Sequence, residues 1–338
     1  MIIIAQPSAT EEQIDRIVAQ VQEFGLEAHV TRGESRVTVG VIGPKELLRE
    51  KRLASLPGVE AIVPAANPYQ LAAFGTRGAA STIEICGVSI GGDAAVALIC
   101  GPCSVESREQ MLATARVVKD AGARIIRGGA FKPRTSPYSF QGLREDGLRF
   151  LAEARNETGL PVITEIMDTR DLAIIERYAD CLQIGARNMH NFALLKEVGR
   201  SHLPVLLKRG FSATVHELIL SAEYILNGGN MNVLLCERGI RTFETGTRYT
   251  LDLSAVPILK AKTHLPVIVD PAHGVGLRDF IPQMSLAAIA AGADGIMLEI
   301  HESPAAAKCD GEQALLPSAL TKLVPRMRAV ANAIGRDL

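Results

Sequence analysis

ALICGPCSVESREQMLATARVVKDAGARIIRGGA, residues 97–130, holds the key to the fold. It opens with an apolar run and passes through Gly–Pro into SREQMLATARVVKDAG, whose apolar residues recur at helical spacing. A second apolar run, RIIRGGA, follows. A strand apolar on both faces, joined to the next through a helix, belongs to a parallel sheet. The rhythm continues downstream in PVITEIM, CLQIGA, PVLLKRG, NVLLCERG, PVIVDPAH and GIMLEIH, each followed by a segment suited to a helix. With AVALICG and RIIRGGA this makes eight strands, which fit a (β/α)8 TIM barrel better than an open doubly wound sheet. The doubly wound alternative lacks a G-x-G-x-x-G after its first strand.

Upstream, residues 1–66 read as a separate α/β unit. MIIIAQP is a short strand, and Thr10 and Gln13 have capping-box spacing ahead of Ile14, Ile17, Val18, Val21 and Phe24. EAHVTRGES and RVTVGVIG are strands, KELLREKRLASL a helix and VEAIVPA a last strand. The order βαββαβ predicts a small ferredoxin-like domain. It carries no cluster of acid, base and nucleophile, which favours regulation or assembly. Residues 67–81 read as a linker, TIEICGVSIGG as a hairpin, and 82–338 as the barrel domain.

Composition narrows the function. Charged residues are 22% and the formal net charge is −1, so charge-driven nucleic-acid binding is not expected. No apolar run is long enough for a membrane span, and MIIIAQPSATEEQ lacks the basic start of a secretory signal. Six scattered cysteines make no disulfide framework and point to a reducing cytoplasm.

Polar residues gather at the C-terminal ends of the barrel strands, the face where such barrels build their sites. One group is basic: Arg127, Lys132, Arg134, Arg187, Lys208, Arg209 and Arg238. Cations converging on one mouth repel unless anions compensate, and Arg and Lys suit phosphate and carboxylate. Two anionic substrates, or one polyanion, would satisfy them. Alternatively, several point outward and pair with acids such as Glu145 or Glu197.

The other group is Cys103, His273, Glu299 and Asp310, from the first, seventh and eighth strand ends, adjacent where a barrel closes. Thiol, imidazole and carboxylates suit a divalent Mn, Fe, Co or Zn. The alternative is a small buried Cys103 and a solvated His273. His301 alternates with Glu299 and borders the same region; Cys86, Cys181, Cys236 and Cys309 read as packing residues. Cys100 and Cys103 spell CGPC, a redox tetrapeptide in small thioredoxin-type domains. A barrel strand is the wrong context, and Cys100 reads as a buried hydrophobe.

Together, GPCSVES (101–107), RGGAFKPRTSPYSFQG (127–142), QIGARN (183–188), LLKRG (206–210), CERGIRTFE (236–244) and VDPAHGVG (269–276) resemble 3-deoxy-D-arabino-heptulosonate 7-phosphate (DAHP) synthases. The N-terminal unit is similar to that of the subgroup with a ferredoxin-like regulatory domain. The resemblance implies condensation of phosphoenolpyruvate with erythrose 4-phosphate and water, releasing phosphate, at the head of the shikimate pathway. It implies Cys103, His273, Glu299 and Asp310 as ligands of one divalent ion. It assigns phosphoenolpyruvate to Arg127, Lys132, Ala186, Arg187, Lys208 and Arg238, and the sugar phosphate to Arg134, Thr135 and Ser136. Glu165 and Lys208 would position the water, and Lys132 would donate a proton. It further implies a homotetramer inhibited by tyrosine or phenylalanine, with His29, Thr31 and the loop around Gly33–Arg36 near the effector. The nearest rival, 3-deoxy-D-manno-octulosonate 8-phosphate synthase, typically has KANRSS-like residues where this chain has KPRT. A non-catalytic binding barrel would not need the full donor set.

Overall fold

The computed structural model describes residues 1–33, 37–43, 50–63, 68–134 and 136–338. Thr135, most of the 33–36 loop and the first half of the expected second helix lie outside the described residues. The chain divides into two units, Met1–Ala79 and Ala80–Leu338.

The first unit is a four-stranded antiparallel sheet of β1 (Ile2–Ala5), β2 (Glu27–Arg32), β3 (Val37–Ile42) and β4 (Val59–Val63), in the order β2-β3-β1-β4. Helix α1 (Glu11–Glu23) starts at the Thr10–Gln13 capping box and lays Ile14, Ile17 and Val21 on the sheet. There they meet Ile3, Val39 and Val41, the inward positions of β1 and β3. Strand alternation and the helical period thus select the same core. Helices α2 (Glu50–Ala54) and α3 (Phe74–Arg77) complete the unit.

The second unit opens with a hairpin, β5 (Thr82–Ile85) and β6 (Val88–Gly91), joined by Cys86 and Gly87, both at positive φ. Two central residues at positive φ give the turn whose twist suits a tight hairpin. Ile83, Ile85, Val88 and Ile90 pack in one cluster with Ile99, Ile125, Ile163, Leu206, Leu234, Ile268 and Met297 of the barrel strands, so the hairpin plugs one end of the barrel. Those strands are β7 (Ala97–Gly101), β8 (Ile125–Arg127), β9 (Val162–Ile166), β10 (Cys181–Ile184), β11 (Val205–Lys208), β12 (Val233–Glu237), β13 (Val267–Val269) and β14 (Gly295–Glu299). All pairs are parallel, and the barrel closes through β14 against β7, with Glu299 opposite Gly101. Helices α4 (Arg108–Asp120), α5 (Glu145–Thr158), α6 (Leu172–Ile175), α7 (Phe192–Val198), α8 (Val215–Asn227) and α9 (Ala255–Lys262) alternate with the strands. A short α10 (Pro271–Val275) follows β13, and α11 (Ile281–Ala290) and α12 (Pro317–Ala333) finish the chain. Among the described residues no helix is long and apolar enough to cross a membrane.

Candidate active site

At the end opposite the hairpin lies a cavity of about 290 Å³. Arg127, Lys132, Arg134, Arg187, Lys208 and Arg238 all line it, as do Ser136, Glu165 and Ala186. Counting Arg248, the described lining holds seven cationic side chains against two carboxylates, Glu165 and Asp310. Four of the seven, Arg127, Lys132, Lys208 and Arg238, are buried. Arg127 and Lys208 already meet Glu299 and Asp270, and the positive charge left over suits a cavity that receives anions. Arg209 corrects the expected basic group. It sits next to Lys208 at the end of β11, so period-2 alternation turns it to the other face. There it donates to Glu237 at 2.7 Å, Asp252 at 2.9 Å and the Ala213 carbonyl, away from the cavity. Glu145 and Glu197 hold Arg149 and Arg200 and neutralise none of the cavity cations.

Ligand-type atoms of Cys103, His273, Glu299 and Asp310 lie within 4.8 Å of one another. Cys103 Sγ is 3.5 Å from Asp310 Oδ2, and His273 Nε2 is 3.4 Å from Glu299 Oε1. One thiol, one imidazole and two carboxylates at this spacing fit a borderline divalent cation. Local structure explains the convergence. Asp270 ends β13 and caps α10, its Oδ1 accepting the His273 backbone N–H at 3.0 Å. Its Oδ2 meets His273 Nδ1 at 2.7 Å and accepts from Lys208 Nζ at 2.5 Å. A carboxylate there only accepts, so Nδ1 carries the ring proton and the Nε2 lone pair faces the other donors. Burial lowers the His273 pKa and keeps the ring neutral, although Asp270 and Glu299 pull the other way. Asp310 is a non-glycine residue at φ 48°. That left-handed backbone is accessible to Asp at some cost, and here it turns the carboxylate toward the cluster. Burial works against its ionisation, but the Arg248 and Lys132 cations overcome this and hold the carboxyl below its usual range.

Arg127, 3% exposed, donates to Glu299 Oε1 at 2.6 Å and to the Pro102 carbonyl; its Nε has no partner. Lys132 Nζ donates to the Cys103 carbonyl at 3.1 Å and to Cys103 Sγ at 3.2 Å. Its pKa is raised: burial opposes the charge, and Cys103 and Cys309 outweigh it. Arg238 lies over the Phe211 and Tyr249 rings at 4.8 and 4.4 Å, its buried Nη1 unpartnered. Glu165 packs on Gly185, where a Cβ would lie 2.0 Å from its Oε1, and receives Gln183 Nε2 at 3.4 Å.

The sequence suggests packing for Cys309. Instead it forms part of the cavity wall: its sulfur is 3.2 Å from Cys103 Sγ and accepts from Arg134 Nη1 at 2.7 Å. As acceptor from Cys103 its thiol pKa is lowered, while the donor Cys103 is raised well above the usual thiol range, with burial and Glu299 adding to the effect. Cys100 is fully buried in β7, where desolvation pushes its thiol up. His301 is buried beside Glu106 at 3.7 Å, its Nδ1 accepting the Ser303 N–H, outside the donor group. In the first unit, Thr31 donates to the Thr76 carbonyl and helps line an apolar cavity of about 280 Å³. His29 is not among its lining residues and lies 3.8 Å from Glu27. Sequence alone places Asp270 with His273 at the seventh strand end but gives it no role, and it does not single out Arg248. Asp-Pro-x-His, an N-cap three residues before the imidazole, was a usable signal for the first; Arg248 sits deep in a long loop with no periodicity to mark it.

A closed (β/α)8 barrel with a divalent-metal donor set beside a polycationic cavity defines an enzyme class that acts on phosphorylated and carboxylated small molecules. The chain belongs to the DAHP synthetase I family, whose model matches residues 68–334, and residues 1–66 match the DAHP synthase ferredoxin-like domain. It is 46% identical over 335 residues, 99% of either chain, to phospho-2-dehydro-3-deoxyheptonate aldolase of Thermotoga maritima. The crystal structure of the Thermotoga maritima enzyme (DAHP synthase) superposes with a TM-score of 0.79 at 45% identity, covering 99% of this chain and 98% of that one. A truncated form of the Thermotoga protein matches at TM-score 0.74 and 45% identity, covering 80% of this chain and 98% of its own. A 2-dehydro-3-deoxyphosphooctonate aldolase of Syntrophotalea carbinolica is more distant, 31% identical over 74% of this chain and 95% of its own.

Proposed function

We propose that the chain is a 3-deoxy-7-phosphoheptulonate synthase, joining phosphoenolpyruvate to erythrose 4-phosphate with water and releasing inorganic phosphate. The observation that carries this reading is the cavity itself: seven cations against two carboxylates, adjoining four metal-type donors. The eight-carbon-forming alternative has only the more distant relatives behind it.

Arg127, Lys132, Arg187, Lys208 and Arg238, with Ala186 beside them, take the phosphate and carboxylate of phosphoenolpyruvate. Arg127 and Arg238, each with an unpartnered N–H already desolvated, gain most from an anion. Arg134, Ser136 and Thr135 take the sugar phosphate. Cys103, His273, Glu299 and Asp310 hold one divalent ion (Mn, Fe, Co or Zn), which when bound polarises the aldehyde carbonyl. The enol carbon C3 forms the new bond to the aldehyde carbon, and Lys132, kept cationic by its sulfur neighbours, donates the proton the new hydroxyl requires. Water held by Glu165 and Lys208 adds at C2 and loses its proton to Glu165; the C2–O bond to phosphate then breaks.

The chain acts in this reading as a cytoplasmic homotetramer, inhibited by an aromatic amino acid at the N-terminal unit near Thr31 and His29. The deciding experiment is phosphate release from phosphoenolpyruvate with erythrose 4-phosphate or arabinose 5-phosphate, after chelation and after metal is restored. Release with the four-carbon sugar, dependent on metal, is expected. Preference for the pentose, or full activity in chelator, overturns the reading.

A further inference from the structure

Two groups, Gln313 and Arg248, link the two carboxylates of the donor set. Glu299 is fully buried and uses its oxygens differently: Oε1 faces Arg127 and His273, while Oε2 accepts from Gln313 Nε2 at 2.7 Å. Gln313 is 1% exposed, and its own carbonyl oxygen accepts from Arg248 Nη1 at 2.7 Å. The same Nη1 lies 3.4 Å from Asp310 Oδ1. An amide placed between a guanidinium and a carboxylate has one sensible orientation, oxygen to the cation and nitrogen to the anion. One guanidinium nitrogen therefore supports Asp310 directly and Glu299 through an amide.

Arg248 is itself anchored to the third donor's helix, its backbone N–H donating to the Val275 carbonyl of α10 at 2.9 Å. Gly276 leaves room for this approach, since a Cβ there would lie 2.5 Å from Arg248 Cβ. The loop carrying Asp310 and Gln313 does not depend on Arg248 alone. Arg278 donates to the carbonyls of Gly311 and Ala314 at 2.8 and 2.6 Å.

We infer that Arg248 and Gln313 are positioning residues that hold Glu299 and Asp310 in ligating geometry for the divalent ion. This rests on the metal dependence proposed above. Two carboxylates facing one point, Glu299 buried and Asp310 half-buried, repel each other until a cation arrives. A guanidinium outside the donor ring offsets that repulsion and fixes which oxygens point inward.

The test is titration of metal-free, full-length protein with Zn²⁺ against a chromophoric chelator, without substrates. Arg248→Met and Gln313→Met are each expected to weaken Zn²⁺ binding about tenfold to a hundredfold, the range for outer partners of metal ligands. The double variant should be little worse than the weaker single one, because both act through one chain of contacts. Arg248→Lys should recover part of the loss. The thermal midpoint of the metal-free protein should stay close to the parent's, and in Gln313→Met, which leaves the cavity lining intact, turnover lost at limiting metal should return at saturating metal. Affinity within twofold of the parent in both Met variants overturns the inference. Should Arg248→Met fail to fold, Gln313→Met, which keeps the shape and deletes only the hydrogen bonds, decides alone. Absence of phosphate release from the parent would sink the proposed reaction and leave this titration readable.

Discussion

Cys103 occupies the most contested position in the molecule. It is a metal-type donor, it receives the Lys132 ammonium, and it touches Cys309. Replacing its sulfur with oxygen removes the only soft donor of the four. Cys103→Ser is therefore expected to weaken Zn²⁺ binding at least tenfold and lower turnover by about two orders of magnitude, read by chelator competition and phosphate release. Arg134 lies at the more open side of the cavity, half-buried against Cys309. Arg134→Gln should raise the KM for erythrose 4-phosphate tenfold or more and leave that for phosphoenolpyruvate within about twofold, since a lost bidentate phosphate contact acts on one substrate. A larger effect on phosphoenolpyruvate would exchange the two phosphate assignments. At this scale the sequence was partly legible. Residues at strand ends, such as Lys208, followed from the barrel, but Arg209 beside it did not, because adjacent positions at the end of a strand face opposite ways and only the Glu237 and Asp252 pairing shows which faces inward.

Among the elements, β7 and the loop after it have the least room for change. A Cβ on Gly101 would stand 1.9 Å from the Arg127 carbonyl oxygen, and backbone cannot rotate aside as a side chain can. Gly101→Ala should destabilise the barrel by about 1–3 kcal/mol, the range for overpacking, measured by denaturant unfolding, and should displace Arg127 enough to raise the KM for phosphoenolpyruvate. Thr214 caps α8 in a reciprocal box with Glu217. Thr214→Ala should cost about 1 kcal/mol and leave KM unaltered, which separates loss of stability from loss of the site. Periodicity made α1 and α4 readable, since Ile14, Ile17 and Val21, or Met111, Ala115 and Val118, mark a single face. It said nothing of α10, five residues long, which exists because Asp270 caps it and Pro271 starts it. Short capped helices depend on side-chain hydrogen bonds that hydrophobic patterning does not record.

The whole chain is two units with separate cores, one around Ile3, Ile17 and Val39 and the other inside the barrel. A fragment of residues 80–338 should fold by itself and retain phosphate release with both substrates, while losing any response to tyrosine or phenylalanine. Circular dichroism and initial rates would check both. A folded but inactive fragment would show that the first unit serves catalysis or assembly instead of control. Within the barrel, β5 and β6 stopper one end with four buried aliphatic side chains. The site is thus a blind-ended well. In the proposed reaction a molecule that enters at the C-terminal face of the strands leaves by that face, and the phosphate set free among the deep cations passes the place assigned to the sugar phosphate. On that reading the order of arrival and departure is imposed by plumbing: whichever substrate lodges deepest comes first, and the seven-carbon product stands between the spent phosphate and the solvent until it moves.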